Sequence, residues 1–290
     1  DSAGAAPAAG GARPGAVGDR PCGCPMSAVA LAYGGGVNSI AMAVGMAQRG
    51  ERPDALVFSD TRGEKPETYA YLGDVLLPYL ASIGFPPLTV VRRADFPNSK
   101  TGDASLEAEC LRLGTLPSRA YGFGTCADKW KIDPFKWWAK TWPNAREAWR
   151  TGGTVTRLIG YDAGEHRRVS THVDVGFSKR FPLIEWGWDR DRCEAEIRAA
   201  GLPVPPKSAC FYCPSSTKLE VISLGKRHPD LAARAVALET NALKDGRWAV
   251  AGLGRRFAWK NLLAADDAQR SLFPFPETPV ENCTICEAGE

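Results

Sequence analysis

The sequence has neither a long apolar run nor a marked excess of charge of one sign. No apolar stretch is long enough to span a bilayer, so we expect no membrane partner and a cytoplasmic location. Its 36 Lys and Arg residues nearly balance 33 Asp and Glu residues, for a net charge of +3. This balance argues mildly against a large nucleic-acid interface, although it leaves room for a local basic groove.

Histidine is scarce as well, and several familiar motifs are missing. The three histidines, at 166, 172 and 228, show no metal-ligand spacing, and no Ser/His/Asp arrangement indicates a hydrolase. Neither GxxxxGK[ST] nor GxGxxG occurs, which excludes the standard P-loop and the dinucleotide-binding fingerprint.

Composition divides the chain into four parts. Residues 1–25 are rich in Ala, Gly and Pro without the apolar core of a signal peptide, and we predict a disordered leader with Met26 as a candidate start. Residues 26–200 are predicted to form one domain and residues 201–272 a helical part that carries a C-x-x-C motif. Residues 273–290 form a tail that contains Pro and Cys.

Apolar runs alternate with helical patterns through the first half of the chain. Strands are predicted at 27–33, 54–60, 88–93 and 155–161, and helices at 38–49, 66–83, 189–200 and within 216–245. Alternating strands and helices predict an α/β protein with a parallel sheet and flanking helices, followed by a cysteine-bearing helical part.

The segment AYGGGVNS, residues 32–39, lies between a predicted strand and a predicted helix. Glycines there allow backbone N–H groups to converge on an anion, and the helix N-terminus adds partial positive charge. Placement alone does not decide between a flexible turn and a phosphate cradle.

Four segments together carry a family resemblance. GGGVNS resembles a pyrophosphate loop, and the other three segments are FSDTRGEKPETYAYL (58–72), LIGYDAGEHRRV (158–169) and FPLIEW (181–186). In this order, over residues 27–220, the chain resembles the superfamily of PP-loop ATP pyrophosphatases and phosphoadenosine-phosphosulfate (PAPS) reductases. The resemblance implies an adenine nucleotide α-hydrolase-like fold that binds ATP, or an adenylyl sulfate, with Mg²⁺.

The resemblance also assigns residues to the nucleotide and to the chemistry. The nucleotide-binding residues would be Tyr33, Gly34, Gly35, Gly36, Asn38, Ser39, Ser59, Asp60, Thr61, Arg157, Gly160, Glu165 and Arg168. The catalytic residues would be Asn38, Ser39, Asp60 and Arg168. Tyr33 departs from the family's usual Ser and Asn38 from its common Asp, which puts a role for residue 38 in holding Mg²⁺ in doubt.

Some of these residues have simpler interpretations. Asp60 could cap the turn that follows it, because a short carboxylate readily accepts a backbone hydrogen bond. Arg167 and Arg168 could be solvated surface charges, and we expect this of one of them.

Cysteine is plentiful, with nine residues, and Cys210 and Cys213 form a C-x-x-C motif. Such a pair is ambiguous between zinc, an iron–sulfur cluster and a dithiol. The superfamily resemblance favours a [4Fe–4S] cluster over zinc. Its predicted ligands are Cys126, Cys193, Cys210 and Cys213. A buried thiol is an equal alternative for Cys193 and the favoured one for Cys110.

Cys283 and Cys286 in the tail have three possible roles. They could relay sulfur, form a zinc site with Cys22 and Cys24, or have no function.

Lys and Trp are interleaved in KWKIDPFKWWAKTW, residues 129–142. This combination suits single-stranded nucleic acid, but Trp138 and Trp142 share a helix face, so core packing is favoured. GRRFAWK, residues 254–260, has the same two interpretations.

These observations predict an ATP-dependent, pyrophosphate-releasing sulfurtransferase that uses an iron–sulfur cluster and a sulfur donor, and that could act on nucleic acid. A sulfonucleotide (PAPS or adenylyl sulfate) reductase with a cysteine nucleophile is the first alternative. A non-catalytic nucleotide-binding subunit is the second. Whether the chain forms homo-oligomers or joins partner subunits stays open.

Overall fold

The structure, a computed structural model, describes residues 26–96, 102–169, 172–247 and 249–272. The predicted leader and Pro/Cys tail, with Cys22, Cys24, Cys283 and Cys286, lie outside the described residues. In the part described, no helix is long and apolar enough to cross a membrane.

A parallel sheet of five strands forms the centre of the protein. In chain order the strands are β1 (Ala28–Tyr33), β2 (Ala55–Ser59), β3 (Leu88–Val91), β4 (Val155–Ile159) and β5 (Phe177–Arg180). Their order across the sheet is β3-β2-β1-β4-β5, and all neighbours are parallel. The predicted α/β fold with a parallel sheet is therefore confirmed.

The central strands are apolar along their whole length because helices cover both faces of the sheet. β1 reads AVALAY and β2 reads ALVFS, the continuous apolar pattern of strands buried on both sides. β5, which reads FSKR, was not predicted from the sequence, since it is short, polar and paired on one side only.

The α-helices of the described residues follow in chain order. They are α1 (Val37–Gln48), α2 (Pro66–Tyr71), α3 (Leu77–Ser82), α4 (Leu106–Leu113), α5 (Thr125–Ala127), α6 (Asp133–Ala139), α7 (Pro143–Arg150), α8 (Pro182–Glu185), α9 (Arg190–Ala199), α10 (Lys218–Arg227), α11 (Pro229–Leu243) and α12 (Trp259–Leu272). Two π-helical turns join neighbouring helices, Leu72–Leu76 between α2 and α3 and Asp128–Ile132 between α5 and α6. The helix predicted from Pro66 to Ile83 is thus present, with a π turn in its middle.

One face of the sheet is covered by α1, α3, α8 and α9. Leu31 and Leu158 of the sheet, Ile40 of α1 and Ile197 of α9 are fully buried in this core. α9 begins at the N-cap Asp189, whose Oδ1 accepts a hydrogen bond from the Arg192 amide at 2.8 Å. The helix predicted at 189–200 is confirmed.

The opposite face is covered by α6 and α7. Phe135 packs on the sheet, and the rings of Trp138 and Trp142 stack with centroids 4.9 Å apart beside it. Trp130 is buried too, and its Nε1 donates a 2.8 Å hydrogen bond to Glu109. The favoured interpretation of this Trp-rich segment as core is therefore confirmed for these three tryptophans.

A second core lies among α4, α10, α11 and α12. Its fully buried members include Trp130, Tyr212, Ala235 and Trp259, so segments on both sides of residue 200 contribute to it. The buried carboxylate of Glu239 joins the start of α12 to this core, because it accepts hydrogen bonds from the backbone N–H groups of residues 253, 259 and 260 at 2.7–3.0 Å.

Packing between α1 and α8 depends on a glycine. A Cβ added to Gly45 would overlap the ring of Trp186 and lie 2.9 Å from Cη2 of Trp188. A Cβ added to Gly73, in the π turn, meets nothing within 4 Å.

We expect Gly45→Ala to lower the free energy of unfolding by about 1–3 kcal/mol relative to Gly73→Ala, the usual cost of overpacking. Both changes gain similar helix propensity, so their difference isolates the clash. Urea unfolding followed by circular dichroism measures it. Equal stability of the two variants would contradict this account of the packing.

Candidate functional site

A cleft of about 850 Å³ opens at the carboxyl ends of β1, β2 and β4. The strand order reverses between β1 and β4, since β2 and β3 lie on one side of β1 and β4 and β5 on the other. In open parallel sheets this switch point is where ligands bind. The glycine loop of residues 34–36 forms one wall of the cleft, and Gly160 and Tyr161 form the facing wall.

The glycine loop has the backbone geometry that an anion cradle needs. Gly35 has a φ of +80°, in the left-handed region that favours glycine, and Gly36 is the N-cap of α1. The Ser39 amide donates to the Gly36 carbonyl at 3.1 Å, whereas no acceptor in the described residues takes the Val37 and Asn38 N–H groups, so these two are available to a ligand. Gly160 permits the close approach of the facing wall, because a Cβ there would lie 3.1 Å from the carbonyl carbon of Asn38.

Asn38 holds two carboxylates at the start of α1. Its Nδ2 donates to Asp162 Oδ2 and to Glu165 Oε2, both at 3.0 Å. An Asp at residue 38 would place three carboxylates in contact, whereas the amide supplies donors to the other two. The departure from the family's common Asp therefore has a local physical reason. Within the described residues, Asn38 Oδ1 is buried without a hydrogen-bond partner.

An arginine and two aromatic rings form a stack along the wall after β4. The Tyr161 and Phe181 rings are stacked with centroids 5.6 Å apart, and the Arg168 guanidinium lies 4.4 Å from the Tyr161 ring centre. Arg168 also pairs with Glu165. Glu165 and Arg168 line the cleft as the sequence predicts, together with the aromatic stack that it did not predict.

Tyr33 ends β1 and lines the bottom of the cleft. Its ring packs edge-on against Phe58, and its hydroxyl is buried without a hydrogen-bond partner in the part described. Burial raises the pKa of the Tyr33 hydroxyl above its usual value, so it stays protonated. Tyr33 therefore presents an uncharged side chain at the position where the superfamily that the chain resembles usually has Ser.

The three polar residues after β2 have different roles from those predicted. Ser59 does line the cleft, and its hydroxyl donates to the Lys131 carbonyl at 2.8 Å. Asp60 is not among the lining residues. Its carboxylate accepts hydrogen bonds from the Arg62 amide, the Tyr69 hydroxyl and Arg92 Nε at 2.7–3.0 Å. Asp60 thus stabilises the turn after β2, the alternative that the sequence left open, and its catalytic role stays a prediction.

Thr61 contacts a cysteine instead of lining the cleft. Its Oγ1 lies 3.2 Å from Cys210 Sγ, and the backbone of Cys210 pairs with that of Glu64 in an isolated antiparallel bridge. The C-x-x-C segment is thus docked on the chain that follows β2. Burial raises the pKa of the Cys210 thiol to about 12, against the opposing charge of Lys131.

A buried carboxylate connects the cysteine segment to the cleft. Glu64 accepts a hydrogen bond from Lys131 Nζ at 3.1 Å, and its Oε2 lies 3.0 Å from Ser208 Oγ, whose single proton is shared between Glu64 and the glycine loop. Ser208 Oγ also lies 2.6 Å from the Gly34 carbonyl oxygen in the glycine loop. Burial acts to lower the pKa of Lys131, but the charges of Glu64 and Cys210 outweigh it and raise that pKa, so Lys131 is a cation at neutral pH.

The four predicted metal ligands are not brought together. Cys126 and Cys210 pack against the second core, where Cys110 is also buried, but Cys193 is fully buried on α9 in the core beside α1. This corrects the prediction of Cys193 as a cluster ligand and agrees with its alternative as a buried thiol. Moreover, no three Cys, His, Asp or Glu side chains in the described ranges lie close enough together to hold a metal ion. The donor set for a [4Fe–4S] cluster is therefore not assembled here.

Mg²⁺ in proteins takes one or two carboxylates and completes its shell with phosphate oxygens and water. Of the two carboxylates that Asn38 holds beside the glycine loop, Glu165 lines the cleft and Asp162 is not among the lining residues. Glu165 is thus the carboxylate that could face such an ion.

The cleft is basic overall among its described lining residues. Seven cations face four carboxylates, namely Lys131, Lys136, Arg157, Arg168, Lys179, Arg190 and Lys207 against Asp128, Asp133, Glu165 and Asp174. Because like charges concentrated in a cleft attract the opposite charge, this excess suits a ligand with several negative charges.

The sequence did not point to Glu64, Lys131, Lys136, Asp174, Lys179 or Ser208, since their partners are distant in the chain.

The all-parallel sheet with a glycine loop at its switch point is the α/β arrangement that the sequence predicts. Among solved structures the chain is similar to the U34-tRNA thiolase NcsA from Methanococcus maripaludis with its [4Fe–4S] cluster. The TM-score is 0.38 and the identity 14%, over 80% of this chain and 77% of that one. No family model and no curated protein matches the chain. A likeness of this degree carries no functional conclusion for this chain.

We expect Asn38→Asp to lower the free energy of unfolding by about 1–3 kcal/mol at pH 8, because it removes the shared donor and adds a third carboxylate. The loss of unfolding free energy should be smaller at pH 5, where one of the three carboxylates takes up a proton and their mutual repulsion falls. Urea unfolding at the two pH values measures this. Asn144→Asp, on the exposed first turn of α7, is the control and should change little. A loss that is equal at both pH values would contradict the account.

The cysteines should differ sharply in reactivity. Burial raises the pKa of Cys110 and of Cys193 to about 12, whereas Cys126 and Cys213 are partly exposed. With protein treated with chelator at pH 8, we expect iodoacetamide to label Cys126 and Cys213 at least about tenfold faster than Cys110 and Cys193, because the thiolate is the nucleophile.

Peptide mapping by mass spectrometry resolves each site in this labelling experiment. Unfolding in urea should remove the difference. Labelling of Cys193 as fast as that of Cys213 in the folded protein would contradict its burial in the α1 core.

Proposed function

We propose that the chain is an enzyme that binds ATP in the cleft, transfers the adenylyl group to an acceptor and replaces the activated oxygen by sulfur. The β- and γ-phosphates of ATP would lie on the glycine loop of residues 34–36 and the start of α1. Backbone N–H groups and the cationic excess of the cleft support this placement.

One observation carries the proposal, the hydrogen bond between Ser208 and the glycine loop. Ser208 Oγ lies 2.6 Å from the Gly34 carbonyl oxygen, and Cys210 follows two residues later. The thiol-bearing segment is thereby attached to the loop that would hold the phosphates. Nucleotide activation and sulfur chemistry in neighbouring places are what an adenylating sulfurtransferase requires.

The first step would be attack of an acceptor oxygen on the α-phosphorus. The bond from that phosphorus to the bridging oxygen of the β-phosphate breaks, and pyrophosphate leaves with the electron pair. Arg168 and Lys131, which line the cleft, would stabilise the charge that develops. Glu165 would hold Mg²⁺, which supplies charge neutralisation on the phosphates.

In the second step hydrosulfide from a sulfur donor would attack the adenylated carbon. The carbon–oxygen bond breaks and AMP leaves, so no oxidant or reductant is needed. The described cysteines do not form a metal-binding group, and hydrosulfide from the donor would itself supply the sulfur.

Sulfonucleotide reduction is a second candidate, favoured by the contact between Cys210 and Thr61 next to the cationic Lys131. Because burial raises the pKa of Cys210 to about 12, the thiolate of Cys213, which is partly exposed, would attack the sulfate sulfur of an adenylyl sulfate and release the adenosine phosphate. Cys210 would then displace sulfite and form a disulfide, with both electrons supplied by the two thiols. A dithiol reductant would restore the pair.

We expect Gly34→Ala to weaken ATP binding at least about tenfold, because a methyl group there narrows the cradle that phosphate oxygens must enter. The nearest atom to the new Cβ, Ser39 Oγ, is 4.0 Å away, so the fold should tolerate the change. Gly124→Ala, whose new Cβ meets nothing within 4 Å and which lies outside the cleft lining, is the matched control. Isothermal titration calorimetry with ATP and Mg²⁺ measures the affinities.

The products separate the candidate functions. Pyrophosphate released from ATP supports adenylation, and sulfite released from an adenylyl sulfate supports the reductase. ATP binding without either product would favour a non-catalytic nucleotide-binding subunit. If Gly34→Ala and the parent protein bound ATP with equal affinity, the glycine loop would not be the site that holds the phosphates.

A further inference from the structure

The inner end of the cleft contains a cluster of charges that the glycine loop does not explain. It lies between the sheet and α6 and consists of Arg157 on β4, Lys136 on α6, Lys179 on β5 and Asp174. These four residues line the same cleft as the loop and bring three cations to one carboxylate. We call them the inner cluster.

Arg157 is the unusual member. It is 6% exposed, and its guanidinium lies 5.7 Å from the centre of the Phe135 ring. Its Nε is buried without a hydrogen-bond partner in the described ranges, and its Nη2 is 3.9 Å from Asp174 Oδ2, too far for a hydrogen bond. A buried guanidinium usually has its donors satisfied, because an unpaired buried charge is costly. The arrangement indicates that an acceptor belongs beside it.

Asp174 cannot neutralise the inner cluster. Its Oδ1 accepts a 2.6 Å hydrogen bond from Lys136 Nζ and lies 3.6 Å from His172 Nε2, so its charge is already shared. Burial acts to raise the pKa of Asp174, but Lys136, Arg157 and Lys179 outweigh it and lower that pKa. The carboxylate is thus ionised at neutral pH, and the four inner-cluster residues keep two uncompensated positive charges.

We propose that the inner cluster is a second anion subsite that binds a phosphomonoester, separate from the phosphates on the glycine loop. The idea deepens the proposed function, because it makes the substrate a phosphorylated one. The phosphate could belong to the acceptor or to the 3′ position of the adenine nucleotide. Both sources present the same dianion, which matches two unpaired positive charges.

Two substitutions should act in opposite directions on this subsite. Lys136→Met removes a cation and should weaken binding of inorganic phosphate about tenfold. Asp174→Asn removes the competing carboxylate and should strengthen it several-fold. A fold defect cannot produce opposite shifts of this kind. Lys140→Met, on the exposed end of α6 and outside the cleft lining, is the matched control.

The source of the phosphate is found by calorimetry with a non-hydrolysable ATP analogue bound. If inorganic phosphate still binds, with these shifts, the subsite serves the acceptor. If it does not, adenosine 3′,5′-bisphosphate should bind at least about tenfold tighter than AMP, and Lys136→Met should remove that advantage. The subsite then serves the nucleotide.

Three results would overturn the proposal. In the first, inorganic phosphate does not bind and adenosine 3′,5′-bisphosphate binds no tighter than AMP. In the second, Lys136→Met leaves the affinity unchanged. In the third, Asp174→Asn binds inorganic phosphate more weakly than the parent protein does. Should ATP not bind at all, the proposed function fails but the subsite can still be tested. Inorganic phosphate is then titrated into Gly34→Ala proteins, whose loop is blocked, and the same two opposite shifts are expected.

Discussion

The buried carboxylate of Glu64 is the constraint on which the site depends. Its side chain is 1% exposed, and an ionised carboxylate is tolerated at such burial only when it is paired and hydrogen-bonded. Lys131 donates to it, Ser208 Oγ lies 3.0 Å from it, and its backbone pairs with Cys210. One residue therefore fixes the chain after β2, the π turn before α6 and the cysteine segment relative to one another.

The same contacts hold the cysteine segment beside the glycine loop, so they determine how far the thiols lie from phosphates bound there. Ser208 reaches the glycine loop, and Lys131 is shared by the cleft lining and the surroundings of Cys210. A cation in that position is attracted both by the phosphates of a nucleotide and by a thiolate. Occupation of the cleft would therefore compete with the thiols for one positive charge, which links the two halves of the proposed reaction electrostatically.

Sequence reasoning succeeded where local pattern decides structure and failed where partners are distant. The strands predicted at 27–33, 54–60, 88–93 and 155–161 are all present, and burial on both faces accounts for the apolar pattern of the two strands β1 and β2. The polar edge strand β5 has no such pattern.

Asp60 shows a different limit, since one carboxylate can cap a turn or bind a ligand, and only the positions of Tyr69 and Arg92 separate the two. Cys193 lies four residues before Ile197 on the buried side of α9, a spacing that favours a core thiol.

The charges of the cleft are arranged in two regions with different properties. Near the glycine loop, Asn38 binds two carboxylates, so under the proposed function N–H groups and a divalent cation would together hold the phosphates there. The inner cluster contains one carboxylate, Asp174, which is hydrogen-bonded to Lys136, so its cations would meet an anion directly. Metal-assisted binding at one end and direct cationic binding at the other would orient a ligand that has phosphates of both kinds. A cleft whose two ends were alike would accept such a ligand in either direction, whereas this one favours a single orientation.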